Sequence, residues 1–197
     1  MIVIFHPAHG YERLKKKLPY LQAAILYLLV CVVAVLKACF THWPLSAVKP
    51  ENANIFLEMG KLMVPVFTFI LVSYGMFTLH NGEAKLKHVF VSTAFSMLPY
   101  VMLTPPLILI SHLLSRTDGG LYYALTAVVW IWVLYHIYRQ VNTLNNYTFP
   151  QTMALIGLTV LGMLALWALL VLLYFLSRNL FLFIRQVWIE LYLYGKN

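Results

Sequence analysis

Five long stretches of this chain carry no charged residue. Nineteen uncharged residues lie between Lys17 and Lys37, twenty-one between Lys61 and Glu83, and twenty-eight between Lys87 and Arg116. Twenty more separate Asp118 from Arg139, and thirty-eight separate Arg139 from Arg178. A helix needs about 20 apolar residues to cross roughly 30 Å of hydrocarbon, and every run reaches that length or comes within a residue of it. A helix satisfies its backbone polar groups within one segment, so each run is expected to be helical. The alternating pattern of a membrane β-barrel is missing.

Composition supports the same reading. Hydrophobic residues make up 62% of the chain and charged residues 10%, against about 25% charged in ordinary soluble domains. So few charges cannot cover a water-exposed surface of this size. The net charge of +8 fits lysines and arginines that flank spans and face anionic head groups. No groove-reading motif accompanies it, so nucleic acid is not an expected partner. The expected fold is an all-α, polytopic membrane helix bundle of about five transmembrane helices plus a C-terminal interfacial helix.

The spans are expected near 19–40, 61–80, 91–114, 121–139 and 152–177. Residues 1–18 read as a basic cytoplasmic leader, 19–177 as the five-span domain, and 178–197 as a C-terminal amphipathic segment lying in the interface, the alternative for its helix being one simply packed against the bundle. In that segment Arg178, Arg185, Gln186 and Glu190 form a narrow polar stripe among Phe181, Ile184, Trp188, Leu191 and Tyr192. Polar Asn142, Thr143, Asn145, Asn146 and Thr148 are expected to form a loop before the fifth span. The third run contains Pro99, Pro105 and Pro106. Proline removes a helical hydrogen bond and clashes with the preceding turn, so this run is expected to bend or break. The first run follows a basic leader as a signal peptide would. It is longer than a signal core, and Lys37 is foreign to a cleavage site, so it is read as a retained span.

The cluster Arg13, Lys15, Lys16 and Lys17 places the N-terminus in the cytoplasm by the Lys/Arg rule, and the expected location is the cell (plasma) membrane. Five spans then put Lys85, Lys87 and Arg139 on the same side, while Lys49, Lys61, Arg116, Arg178, Arg185 and Lys196 fall outside.

No catalytic group emerges. The six acidic residues Glu12, Glu51, Glu58, Glu83, Asp118 and Glu190 all lie outside the expected membrane interiors. Ion-coupled carriers keep ionisable groups at depth. The seven histidines lack the i, i+4 spacing or nearby Glu of a helical zinc site. Cys31 and Cys39 have no metal-ligand spacing and read as small apolar residues. Nucleophile elbows and phosphate-binding glycine loops are absent. No catalytic residue, cofactor or metal is expected. Lys37 lies within a span, near enough to its end to snorkel. Ser92 and Ser96 have the small-xxx-small spacing of close helix packing.

Asn81, Gly82, Glu83, Lys85 and Lys87 form a candidate partner-recognition surface on the cytoplasmic side. Gly82 permits backbone conformations that a side chain would hinder, and Glu83 and Lys87 would share a helix face. The plainer alternative is a turn with Glu83 capping the next helix.

Several segments resemble the bacterial branch of the Yip (Ypt-interacting protein) membrane family. They are the leader Pro7-Ala8-His9-Gly10-Tyr11-Glu12-Arg13-Leu14-Lys15 and the turn Asn81-Gly82-Glu83-Ala84-Lys85-Leu86-Lys87. The stretch Ser92-Thr93-Ala94-Phe95-Ser96-Met97-Leu98-Pro99-Tyr100 and the turn Tyr147-Thr148-Phe149 are similar to that family too. The Asp-Leu-Tyr-Gly-Pro motif of eukaryotic members is missing. The resemblance therefore implies fold and membrane location, with a role in organising other proteins, rather than small-GTPase binding. The expected function is a non-enzymatic membrane protein that binds or organises partner proteins, as an accessory to a transport system. The alternative is a small permease or channel for a weakly polar or lipidic solute. The lipid bilayer and another membrane protein are the expected partners.

Overall fold

A computed structural model describes residues 7–42, 45, 54–80, 82–114 and 119–194. The described chain is an all-α, polytopic membrane helix bundle: a short helix α1 (Pro7–Lys16) followed by α2 (Tyr20–Phe40), α3 (Ile55–Leu79), α4 (Leu86–Ser96), α5 (Leu98–Ser111), α6 (Gly119–Asn145) and α7 (Phe149–Tyr194). Five helical stretches are long and apolar enough to span a membrane, with α4 and α5 counted together as the third. Residues up to Thr159 form one compact unit and those from Val160 a second.

Within the first unit, α2 packs on α3, α4 and α5, and α6 packs on α1, α4 and α5. The leader is therefore built into the bundle. Tyr11 and Leu14, three apart on one helical face, are buried in the core, while Glu12, Arg13 and Lys16 stay exposed. This amphipathic spacing docks α1 against α4 and α6.

The third span is interrupted once, at Met97, whose N–H reaches back to Ala94 O at 3.2 Å. Helix α5 then restarts with Pro99 in its first turn, where the missing N–H would have no helical acceptor anyway. Pro105 and Pro106 lie inside α5 without ending it. They leave the Val101 and Met102 carbonyls without their i+4 amide donors.

Helix α6 runs on to Asn145, so Gln140–Asn145, expected as loop, are helical. Gln140 and Asn145 are buried; their polarity serves bundle contacts rather than solvent. The turn is confined to Asn146–Thr148. Asn146 adopts φ 54°, a left-handed conformation that Asn tolerates better than most residues. Asn142 Nδ2 donates to Tyr147 O (2.6 Å) and so closes the turn.

Helix α7 also differs from expectation. It continues without interruption through residue 178 for 46 residues in all, about 69 Å at 1.5 Å per residue. The charges at 178 and 185 lower hydropathy but do not break a helix, and neither Gly nor Pro occurs between 178 and 194.

Candidate functional site

The segments around the expected recognition surface meet at the end of the bundle that carries α1. Gly82 follows α3 and its N–H donates to Phe77 O at 2.7 Å. A Cβ at this position would stand 2.7 Å from Asn145 Oδ1, 2.7 Å from the Tyr147 hydroxyl and 2.9 Å from Phe77 Cβ. Both polar neighbours are committed: Asn145 Oδ1 accepts from Ala84 N (3.1 Å) and the Tyr147 hydroxyl donates to His80 O (3.2 Å). Close approach, rather than a positive φ, is what calls for glycine here.

Glu83 does not share a helix face with Lys87, because α4 begins only at Leu86. Instead Lys15 Nζ donates to Glu83 Oε2 at 2.6 Å and Asn146 Nδ2 donates to the same oxygen at 3.2 Å. The Lys15 hydrogen bond and charge, with a smaller contribution from Asn146, hold the Glu83 carboxyl below the usual carboxylate range. Lys85 caps α4 and its backbone N–H donates to His88 Nδ1 (3.1 Å); Lys85 and Lys87 are exposed. Asn81 lies outside the described residues.

Beneath this turn runs a buried polar chain. Ser96 Oγ donates to Gln140 Oε1 at 2.8 Å, with Ser92 O at 3.1 Å as a second acceptor. Gln140 Nε2 donates to Thr93 Oγ1 (2.9 Å) and, more weakly, to Val89 O (3.5 Å). The carbonyl at Val89 can only accept, which fixes the orientation of the Gln140 amide. With the Ser96 proton given to Gln140, the Tyr11 hydroxyl, 2.8 Å away, donates to Ser96 Oγ. His136 Nδ1, 3.3 Å from that hydroxyl, must then carry the proton and donate to Tyr11. This assignment follows from closing the network. It leaves His136 Nε2 as a buried acceptor, and neither it nor Arg139 Nε has a partner among the described residues. Burial pushes the Tyr11 hydroxyl pKa well up, so it remains a donor at any physiological pH.

The opposite end carries a different feature. A partly open cavity of about 420 Å³ is lined by Lys37 of α2, Glu58 and Lys61 of α3, Tyr100 of α5, and Tyr122 and Trp130 of α6, among others. Lys61 is paired with Glu58 one turn away. Lys37 is in no ion pair among the described residues. It lines a space between four helices rather than only flanking the lipid. Tyr100 and Trp130 stack at 5.5 Å between ring centroids.

Sequence reasoning had no hold on Tyr11, Thr93, Gln140 or the Lys37 cavity as a set. The 7, 11, 14 spacing of α1 and the i, i+4 pair His136 and Gln140 were the available signals. His42 and His112 come within 5.6 Å between ring centroids, but among the described residues no three His, Cys, Asp or Glu side chains cluster as metal ligands would. Set against known protein families, characterised proteins and solved structures, the chain matches none of them.

Proposed function

We propose that this integral membrane protein is non-enzymatic and binds or organises a partner membrane protein through the distal part of α7, as an accessory to a transport system. The observation that carries this reading is the exposure of α7: every residue from Trp167 to Ile189 is exposed. Lipid covers about 20 residues of a spanning helix, yet α7 runs for 46. Phe181, Phe183, Ile184 and Trp188 are 56–73% exposed and lie past the apolar run that ends at Arg178. These side chains lie beyond the roughly 20 residues that lipid covers, and an apolar partner helix is the cover that this reading assigns to them.

The resemblance to the bacterial Yip branch points the same way. The segments that carry it adjoin one another at the α1 end: Tyr11 contacts Ser96, Lys15 contacts Glu83, and Gly82 lies beside Tyr147. In this reading the N-terminus is cytoplasmic, the membrane is the plasma membrane, and exposed Lys85 and Lys87 offer a charged contact on that side, next to Gly82 and Glu83.

A photo-crosslinking residue at Phe181 or Trp188, in intact cells, is expected to capture one defined protein. Phe181→Glu combined with Ile184→Glu should leave a membrane-inserted chain that no longer co-purifies with it. Adducts to lipid alone would sink the proposal. The permease alternative draws on the interruption at Met97 and the Lys37 cavity, since discontinuous helices often line solute sites; solute uptake by proteoliposomes of the pure protein tests it.

A further inference from the structure

We propose that the Lys37 cavity is a binding site for a membrane lipid with a singly charged anionic headgroup. The site belongs to α2, α3, α5 and α6 and includes no part of α7, so it stands or falls separately from partner binding.

An ammonium group inside a span is costly unless it reaches the interface or finds an anion. Lys37 is half-buried, three residues from the end of α2, a helix long and apolar enough to span a membrane. Its surroundings among the described residues offer one carboxylate, Glu58, and Lys61 already engages that group. Among the described residues, two lysines face one glutamate, which leaves one positive charge there without a partner. One anionic group balances it.

The walls argue for the rest of the ligand. Tyr100, Tyr122 and Trp130 present aromatic surface, which suits an apolar tail or glycerol backbone better than a hydrated free ion. Tyrosine hydroxyls add donors that a phosphate or carboxylate oxygen accepts. The other polar groups at the rim are used locally: Thr41 Oγ1 donates to Lys37 O (2.6 Å) and Thr126 Oγ1 to Tyr122 O (2.9 Å). A volume of about 420 Å³ lies within the range of small-ligand sites, enough for a headgroup and the start of its chains. A phosphodiester lipid and a fatty carboxylate share this chemistry; a soluble phosphate lacks the apolar part.

Native mass spectrometry of the full chain, titrated with phosphatidylglycerol, a long-chain fatty acid, phosphatidylcholine or inorganic phosphate, tests the site. The expected result is one retained anionic lipid per chain, with the first two probes distinguishing phosphodiester from carboxylate. Loss of one charge-assisted contact should weaken retention about tenfold in Lys37→Met. Lys37→Arg should restore it, and Lys16→Met, at the exposed end of α1 and away from the cavity, should leave it unchanged. Equal retention of phosphatidylcholine by the wild-type chain would overturn the proposal, and so would binding of inorganic phosphate without either lipid. Undiminished retention by a folded Lys37→Met would do the same. If that variant does not fold, the wild-type comparison of anionic with zwitterionic lipid still decides.

Discussion

At the α1 end of the bundle, Gln140 sits fully buried with its amide oxygen and nitrogen both engaged, and Glu83 is held by Lys15 and Asn146. At the other end, Lys37 lines a partly open cavity, and among the described residues the one carboxylate beside it is already taken by Lys61. Both ends hold polar groups at the limits of the hydrocarbon, where an unpartnered group is expensive. The first end has used most of its polar groups to join helices that are far apart in sequence, with His136 Nε2 and Arg139 Nε left over among the described residues. The second retains an unmatched charge and the space next to it. A satisfied network fixes geometry; an unsatisfied one beside a cavity is suited to a ligand.

The largest effect expected is at Gly82. Alanine there must displace Phe77 Cβ as well as two side chains that are already hydrogen-bonded, so Gly82→Ala should cost roughly 2–3 kcal/mol. The check is thermal unfolding of the purified protein together with its abundance in membranes. A neutral result would mean that the α1 end is looser than its geometry, and the contrast between the ends would weaken.

Gln140→Leu comes next. It removes the acceptor for Ser96 and the donor for Thr93 and Val89, at an expected cost of about 2 kcal/mol. Tyr11→Phe, at the outer end of the same chain, should cost about 1 kcal/mol and expose residues 7–16 to protease or hydrogen exchange. By contrast Lys37→Met should not lower the unfolding temperature, because it removes a charge that stabilises nothing within the bundle. A loss of stability in Lys37→Met as large as in Gln140→Leu would break the comparison.

The smallest loss of stability expected is at Glu83, which is exposed and screened by solvent. Its carboxyl is held below the usual range by Lys15, so the folded state binds this proton less readily than the unfolded chain does. Its contribution is present above the unfolded-state pKa and is lost as the pH falls through the lower folded value. The unfolding temperatures of wild type and Glu83→Gln should therefore differ slightly at neutral pH and converge in acid. High salt should narrow the gap as well. A difference that persists in acid would assign Glu83 a role other than its ion pair.

The sequence by itself determined that the chain is helical and crosses a membrane, and roughly where. Charge is excluded from hydrocarbon by a local, additive cost, so the uncharged runs could be read residue by residue. It placed Gly82 and Glu83 at a turn and Pro99 near a break for equally local reasons. Tertiary structure alone decided which faces meet. Lipid and protein interior are both apolar, so hydrophobic periodicity, which separates inside from outside in water, is nearly silent here. That is why residues 140–145 read as loop and proved helical, with Gln140 in the core, and why Lys37 read as a snorkelling end charge with no sign of the cavity that it also lines. It is also why the leader's Tyr11 gave no sign of its partners, Ser96 and His136, which lie 85 and 125 residues away along the chain.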